Sequence, residues 1–204
     1  MEYTGYLEVV AQGIVECGRK LRQAGLIPGC SGNISVRVSP TEVMSTPAGL
    51  DKSSLTPREM VVTDLGGQVL QGGYEPSSEL KVHLGLYAVD SEIGAVVHAH
   101  TPYTRILGGW NSNWITEISR KLGAAEEWQG VTSVSYQKPG SQELADAIAE
   151  EFKKSLDHTL VVGGHGVVAV GISLTQAWHR VEMLEHLAML GYKQLVLSQL
   201  RRLG

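Results

Sequence analysis

The stretch Gly94-Ala-Val-Val-His-Ala-His-Thr-Pro-Tyr103 reads as a buried strand handed over, at Thr101-Pro102, to a helical segment. Side chains two apart on a strand share a face, so His98 and His100 present their imidazoles to one side and can converge on a single metal ion. For the pair alone, a core histidine beside a surface histidine is an equally good reading. His165 changes the balance. It stands in Gly163-Gly-His-Gly166, where the flanking glycines allow a tight turn that leaves an imidazole accessible as a third ligand. Three neutral imidazoles leave one position open on zinc, the pattern of a catalytic site.

Upstream, Val10, Ile14, Cys17 and Leu21 fall on one face of a helix over Tyr6 to Ala24, with Gly25 as its stop, which puts Cys17 in the core. Pro28-Gly-Cys-Ser-Gly-Asn33 is a glycine loop entering a strand on which Ile34, Val36 and Val38 share a side. It lacks the GxxxxGK[ST] pattern and following helix of a nucleotide P-loop. Val43–Ser45 is a short strand and Thr46-Pro-Ala-Gly49 a tight turn, while Met60–Asp64 and Gln68–Gln71 form a hairpin about Leu65-Gly-Gly67. Glu75-Pro-Ser-Ser-Glu79 opens a helix through Leu80, Leu84 and Tyr87.

Downstream, Trp110 to Gly130 shows no clean period. Val131–Tyr136 is a strand and Ser141 caps a helix carrying Leu144, Ile148 and Phe152. Thr159–Val162 and Val167–Val170 are strands on either side of the His165 turn, and a long helix runs from Leu174. The strands come in runs, with helices at the start, middle and end, so the fold class is α+β in a single domain over residues 1–204.

The 204 residues include 24 glycines, about 12% against an ordinary ~7%. With 43% apolar and 19% charged residues the chain can bury a core, so the glycines serve loops and close approaches rather than disorder. A net charge of −4 without any Lys or Arg run argues against nucleic acid and anionic membrane as partners. No apolar run approaches the ~18 residues of a membrane helix. Two cysteines make no secreted framework, and Met1-Glu-Tyr-Thr-Gly-Tyr6 has no basic or apolar leader character, so the expected compartment is cytoplasmic.

An anion must therefore be bound locally. Ser77 and Ser78 are N-caps or phosphate donors at a helix start, and Glu79 beside them is a first-turn carboxylate that suits the helix dipole. Gly32 with Asn33, and Ala48 with Gly49, are further places where backbone amides can approach an anion. His83, one turn after Glu79, either supports the site or packs in the core. His158, His179 and His186 carry no partner pattern, and Cys30 has no acyl-transfer constellation around it.

Taken in order, Gly29-Cys-Ser-Gly-Asn-Ile-Ser35, Thr46-Pro-Ala-Gly49, Glu75-Pro-Ser-Ser-Glu79, His98-Ala-His100 and His165-Gly166 resemble the class II aldolase/adducin family over nearly the whole chain. The likeness is greatest to its L-fuculose-1-phosphate aldolase branch. The resemblance implies three α/β/α layers around a mixed, mainly antiparallel sheet, and a homotetramer with active sites between subunits. It implies zinc on His98, His100 and His165, with Glu79 as catalytic acid/base that also reaches the metal, and a phosphate pocket of Gly32, Asn33, Ala48, Gly49, Ser77 and Ser78. Where that branch has a tyrosine after the HxH motif, this chain reads Trp114-Ile-Thr-Glu-Ile-Ser-Arg-Lys121, in which Glu117 is an alternative or a surface carboxylate.

The expected function is a zinc-dependent aldolase that reversibly cleaves a ketose 1-phosphate, of the L-fuculose 1-phosphate type, to dihydroxyacetone phosphate and a short aldehyde. Methylthioribulose-1-phosphate dehydratases and pentulose-phosphate epimerases share the histidines, although the epimerases usually carry Asp where Glu79 stands. A non-catalytic adducin-like module typically loses those histidines.

Overall fold

The computed structural model describes residues 5–110, 114–122, 131–155 and 158–201. Its first half runs α1 (Gly5–Gln23), β1 (Asn33–Ser39), β2 (Glu42–Ser45), β3 (Val61–Asp64), β4 (Val69–Gln71), α2 (Leu80–Val89) and β5 (Ala95–Ala99). Then come α3 (Pro102–Trp110), α4 (Trp114–Leu122), β6 (Val131–Val134), α5 (Gln142–Ser155), β7 (Thr159–Val162), β8 (Gly166–Gly171) and α6 (Leu174–Leu200). The strands form one sheet in the order β4-β3-β2-β1-β5-β8-β7-β6. Only β6 and β7 run parallel, and α5 supplies the crossover that such a pair needs.

Alternation along the strands sorts side chains into two cores. Ile34, Met44, Ala95, Val97 and Ala169 pack beneath α1, α3, α4 and α6. Val43, Val96, Leu160, Val168 and Val170 pack beneath α2 and α5. The result is a three-layer α+β architecture about a mixed, mainly antiparallel sheet.

The local signals act as their chemistry dictates. Gly25 adopts φ +74° just past α1, and the Ser141 hydroxyl accepts from the Leu144 amide at 3.1 Å to cap α5. In the segment without a clean period, Trp114 and Ile118 are buried one turn apart on α4. Nine residues give too few turns for a periodicity to stand out. The remainder of that segment, 111–113 and 123–130, lies outside the described residues. The N-terminus of α3 is capped from another helix: Glu185 of α6 accepts from the backbone amides of Tyr103 at 2.7 Å and Thr104 at 3.0 Å. That bond fixes the chain just after His100.

Candidate metal centre

β1 places its odd-numbered side chains toward α2. Asn33 Nδ2 donates to Glu79 Oε2 at 2.9 Å, Ser35 Oγ lies 2.6 Å from His83 Nδ1, and Arg37 donates to the Tyr87 carbonyl at 2.7 Å. Glu79, His83 and Tyr87 stand four apart on the facing helix. A two-residue strand step of ~6.6–6.8 Å matches a four-residue helix step of ~6.0 Å closely enough for three consecutive contacts.

The sequence expects Glu79 in the first helical turn; the structure makes it the N-cap of α2, with φ −98° and ψ 8° and no capping bond from its side chain. The carboxylate turns instead to the histidines. His98 belongs to β5 on the α2 side, His100 follows one residue beyond that strand, and His165 stands in the β7–β8 turn after Gly164 at φ +68°. Gly166 allows this closeness, because a Cβ there would strike the Ala99 carbonyl.

His98 Nε2 lies 3.1 Å from His100 Nε2 and 3.2 Å from Glu79 Oε2, and His165 Nε2 lies 3.4 Å from Glu79 Oε1. One ligand atom from each of the four residues falls within 4.8 Å of the other three. Corners of a tetrahedron with ~2.0–2.1 Å zinc–nitrogen bonds are ~3.3 Å apart, a spacing that the three contacts of 3.1, 3.2 and 3.4 Å match. His98 Nδ1 is 2.9 Å from the Val167 carbonyl; donation there leaves the Nε2 lone pair free to ligate. Glu79, His98 and His165 are buried, whereas His100 is half-buried and opens the site to solvent.

Burial favours the neutral imidazole and, with the neighbouring histidines, takes the pKa of His100 and of His165 down to about 4. Burial opposes ionisation of Glu79, but its contacts with the His98 and His165 rings and with the Asn33 amide outweigh it and bring its carboxyl to about 2. At neutral pH His100 and His165 therefore offer lone pairs beside the Glu79 carboxylate, as a divalent cation requires. Arg105 Nε donates to the Gly164 carbonyl at 3.4 Å and sets a fixed positive charge beside the His165 turn.

The expected anion-binding segments converge on the same end of the sheet. Pro47 bridges to Pro76, and the Ala48 amide donates to the Glu75 carbonyl at 2.9 Å, joining the Ala48-Gly49 turn to the loop that leads into Ser77 and Ser78. The Ala48 N–H is thereby engaged, so an anion at this turn would rely on its neighbours. Ser77 Oγ accepts from the Glu79 amide at 3.3 Å. Gly32 sits at φ +72° against the His98 carbonyl, where a Cβ would also meet Ile27.

Three features were missed by sequence reasoning. Lys52, 2% exposed, donates from Nζ to the Cys30 carbonyl at 3.0 Å and the Leu50 carbonyl at 2.7 Å, tying both glycine turns together. Nothing in its local sequence marks it. The Asn33–Glu79 bond and the Ser35–His83 contact were also missed, although the polar spacing Glu79, His83, Tyr87 in an apolar helix was a usable signal. Glu117 is half-buried on α4.

Residues 12–192 match the model of the class II aldolase and adducin N-terminal domain. The chain belongs to the class II aldolase/adducin family. Among curated members it is 30% identical over 191 residues to the 5-deoxy-D-ribulose 1-phosphate aldolase of Bacillus thuringiensis serovar kurstaki, covering 92% of this chain and 86% of that one. It is 31% identical over 189 residues to the methylthioribulose-1-phosphate dehydratase of Pseudomonas fluorescens, covering 88% and 90%. The solved L-fuculose 1-phosphate aldolase superposes with a TM-score of 0.74 at 29% identity, over 89% of this chain and 84% of that one. Class II aldolases are metal-dependent, which agrees with the Glu/His cluster found here. Among the described residues no helix is long and apolar enough to cross a membrane.

Proposed function

We propose that this protein is a zinc-dependent aldolase interconverting a ketose 1-phosphate, of the L-fuculose 1-phosphate type, with dihydroxyacetone phosphate and a short aldehyde. The observation that carries the reading is the buried Glu79 carboxylate, 3.2 Å from His98 and 3.4 Å from His165 and oriented by Asn33. His98, His100 and His165 would hold the ion, with Glu79 in reach. A divalent ion there supplies the positive charge that stabilises an enediolate.

The residues divide the remaining work. Of the expected pocket Gly32, Asn33, Ala48, Gly49, Ser77 and Ser78, the glycine amides and serine hydroxyls would anchor the phosphate, Ala48 would shape its turn and Asn33 would contribute through its backbone, between turns that Lys52 braces. In the condensation direction, Glu79 removes a proton from the carbon beside the dihydroxyacetone phosphate carbonyl. The electron pair released forms the new bond to the aldehyde carbon, the aldehyde oxygen takes up a proton from water, and Glu79 gives the proton it took back to solvent, so the two transfers balance. Cleavage reverses these transfers, with Glu79 returning its proton to carbon.

The same reading includes a single domain over residues 1–204, a cytoplasmic location and a homotetramer whose active sites lie between subunits. Exposed Ile106, Val196 and Leu200, lining one apolar groove between α3 and the end of α6, favour self-association. Sedimentation of the purified chain tests it.

Incubation with several ketose 1-phosphates, after metal analysis, separates the alternatives. About one zinc per chain and release of dihydroxyacetone phosphate support the aldolase. Loss of water from the substrate selects the dehydratase reading, which the 31% identity to the Pseudomonas fluorescens enzyme favours. Inversion of a pentulose phosphate selects an epimerase. Intact substrates and no bound metal select an adducin-like module.

A further inference from the structure

Behind the four candidate ligands lies a small cavity lined by Asn33, Glu79, His83, His98 and His165 on one side and by Val82, Leu144, Ile148, Val162 and Val168 on the other. It leaves about 10 Å³ for the centre of a water molecule, which matches the ~10–15 Å³ that one buried water needs. Four buried side-chain atoms of its polar wall make no hydrogen bond: Asn33 Oδ1, Glu79 Oε1, His83 Nε2 and His165 Nδ1. A buried polar atom without a partner costs ~1–3 kcal/mol, so four around one small cavity call for a shared partner.

The hydrogen-bond chain behind His83 fixes which way its ring is protonated. Tyr87 is buried, and burial pushes its phenol up, so it keeps its proton. Its hydrogen-bond partner is Ser35 Oγ, 2.9 Å away, and a buried phenol that keeps its proton gives it to that oxygen. Ser35 then gives its own single proton to His83 Nδ1, at 2.6 Å. Burial takes His83 down to about 3, so the ring is neutral and carries its one proton on Nε2. The chain Tyr87, Ser35, His83 is thus a line of donors directed at the cavity.

We infer that the cavity holds one ordered water, which accepts from His83 Nε2–H and donates to the Glu79 carboxylate, making His83 a positioning residue for the catalytic base. Asn33 Oδ1 as a second acceptor and His165 Nδ1–H as a second donor complete the four partners of a tetrahedral water. Glu79 is then held from two sides, by the Asn33 amide directly and by His83 through the water. The inference rests on the acid/base role proposed for Glu79.

The test begins with nitrogen NMR of ¹⁵N-histidine-labelled full-length protein, metal-free and zinc-loaded, which needs no substrate. His83 is expected in the Nε2–H form in both; an Nδ1–H ring overturns the inference. Kinetics follow with whichever ketose 1-phosphate the wild type turns over. His83→Leu should lower kcat ~10–100-fold with KM and zinc content held. His83→Gln, whose amide can still donate into the cavity, should recover most of that loss. Wild-type kcat in His83→Leu, or an equal loss in both variants with both folded, overturns the role. Absence of turnover in the wild type refutes the aldolase and leaves the ring's protonation, read separately, to decide the water site.

Discussion

Asn33 Nδ2 donates to Glu79 Oε2 across 2.9 Å and 46 positions of sequence, joining the first glycine loop to the cap of α2. The bond both orients the carboxylate and favours its ionised form. Asn33→Ala should lower kcat ~10–100-fold, with the circular dichroism spectrum unchanged. Asn33→Asp should act differently, because a second carboxylate at this distance raises the Glu79 pKa. The acidic limb of its kcat/KM profile should move to higher pH, which a pH-rate series reads directly.

Lys52 offers a second test. Lys52→Met leaves the Cys30 and Leu50 carbonyls without the donor they share and lets the two turns part. Urea unfolding should show the loss of stability. Since the ammonium spans the two turns assigned to the phosphate, KM should rise more than kcat falls.

The pH dependence of the metal-free protein follows from His83, His100 and His165, all held well below 6.5 by burial, at about 3, 4 and 4. Between pH 6.5 and 4 the unfolded chain binds protons that the folded chain refuses. The stability these three contribute is complete above pH 6.5 and is lost as pH falls toward 4. Melting temperatures across this window should drop with acidification, with uptake of up to about three protons on unfolding. A flat curve contradicts the burial of these rings.

Gly166→Ala tests how the ligands are assembled. A Cβ at Gly166 collides with the Ala99 carbonyl on β5, so β8 must withdraw from the strand that carries His98. Zinc affinity should fall at least tenfold, and Tm should fall as well; isothermal titration and calorimetry read the two effects.

Much of this fold was legible because strands and caps are local. Ile34, Val36 and Val38 share a face by alternation alone, and Ser141 caps α5 through a hydroxyl three residues from its partner. The histidine set was legible for the same reason, since alternation carries His98 to one face and glycine licenses the His165 turn. Contacts between distant segments were not. Lys52 finds carbonyls on two separate turns, and Ser35 meets His83 only because β1 lies against α2. Such pairings depend on how layers dock, which no single window of sequence contains. Glu79 shows the boundary: its place at a helix start was readable, but not that its side chain abandons the cap.

The pairing of His98 with Val168 and of Ala99 with Val167 has a kinetic corollary. A slip of one residue between β5 and β8 would turn His98 to the opposite layer. The rungs of the sheet therefore act as a latch on that candidate ligand, and detaching it requires the central ladder to open cooperatively. His100, beyond the last rung, is under no such restraint. Ion exchange should thus proceed through His100 in the intact protein, whereas irreversible demetallation should keep pace with global unfolding.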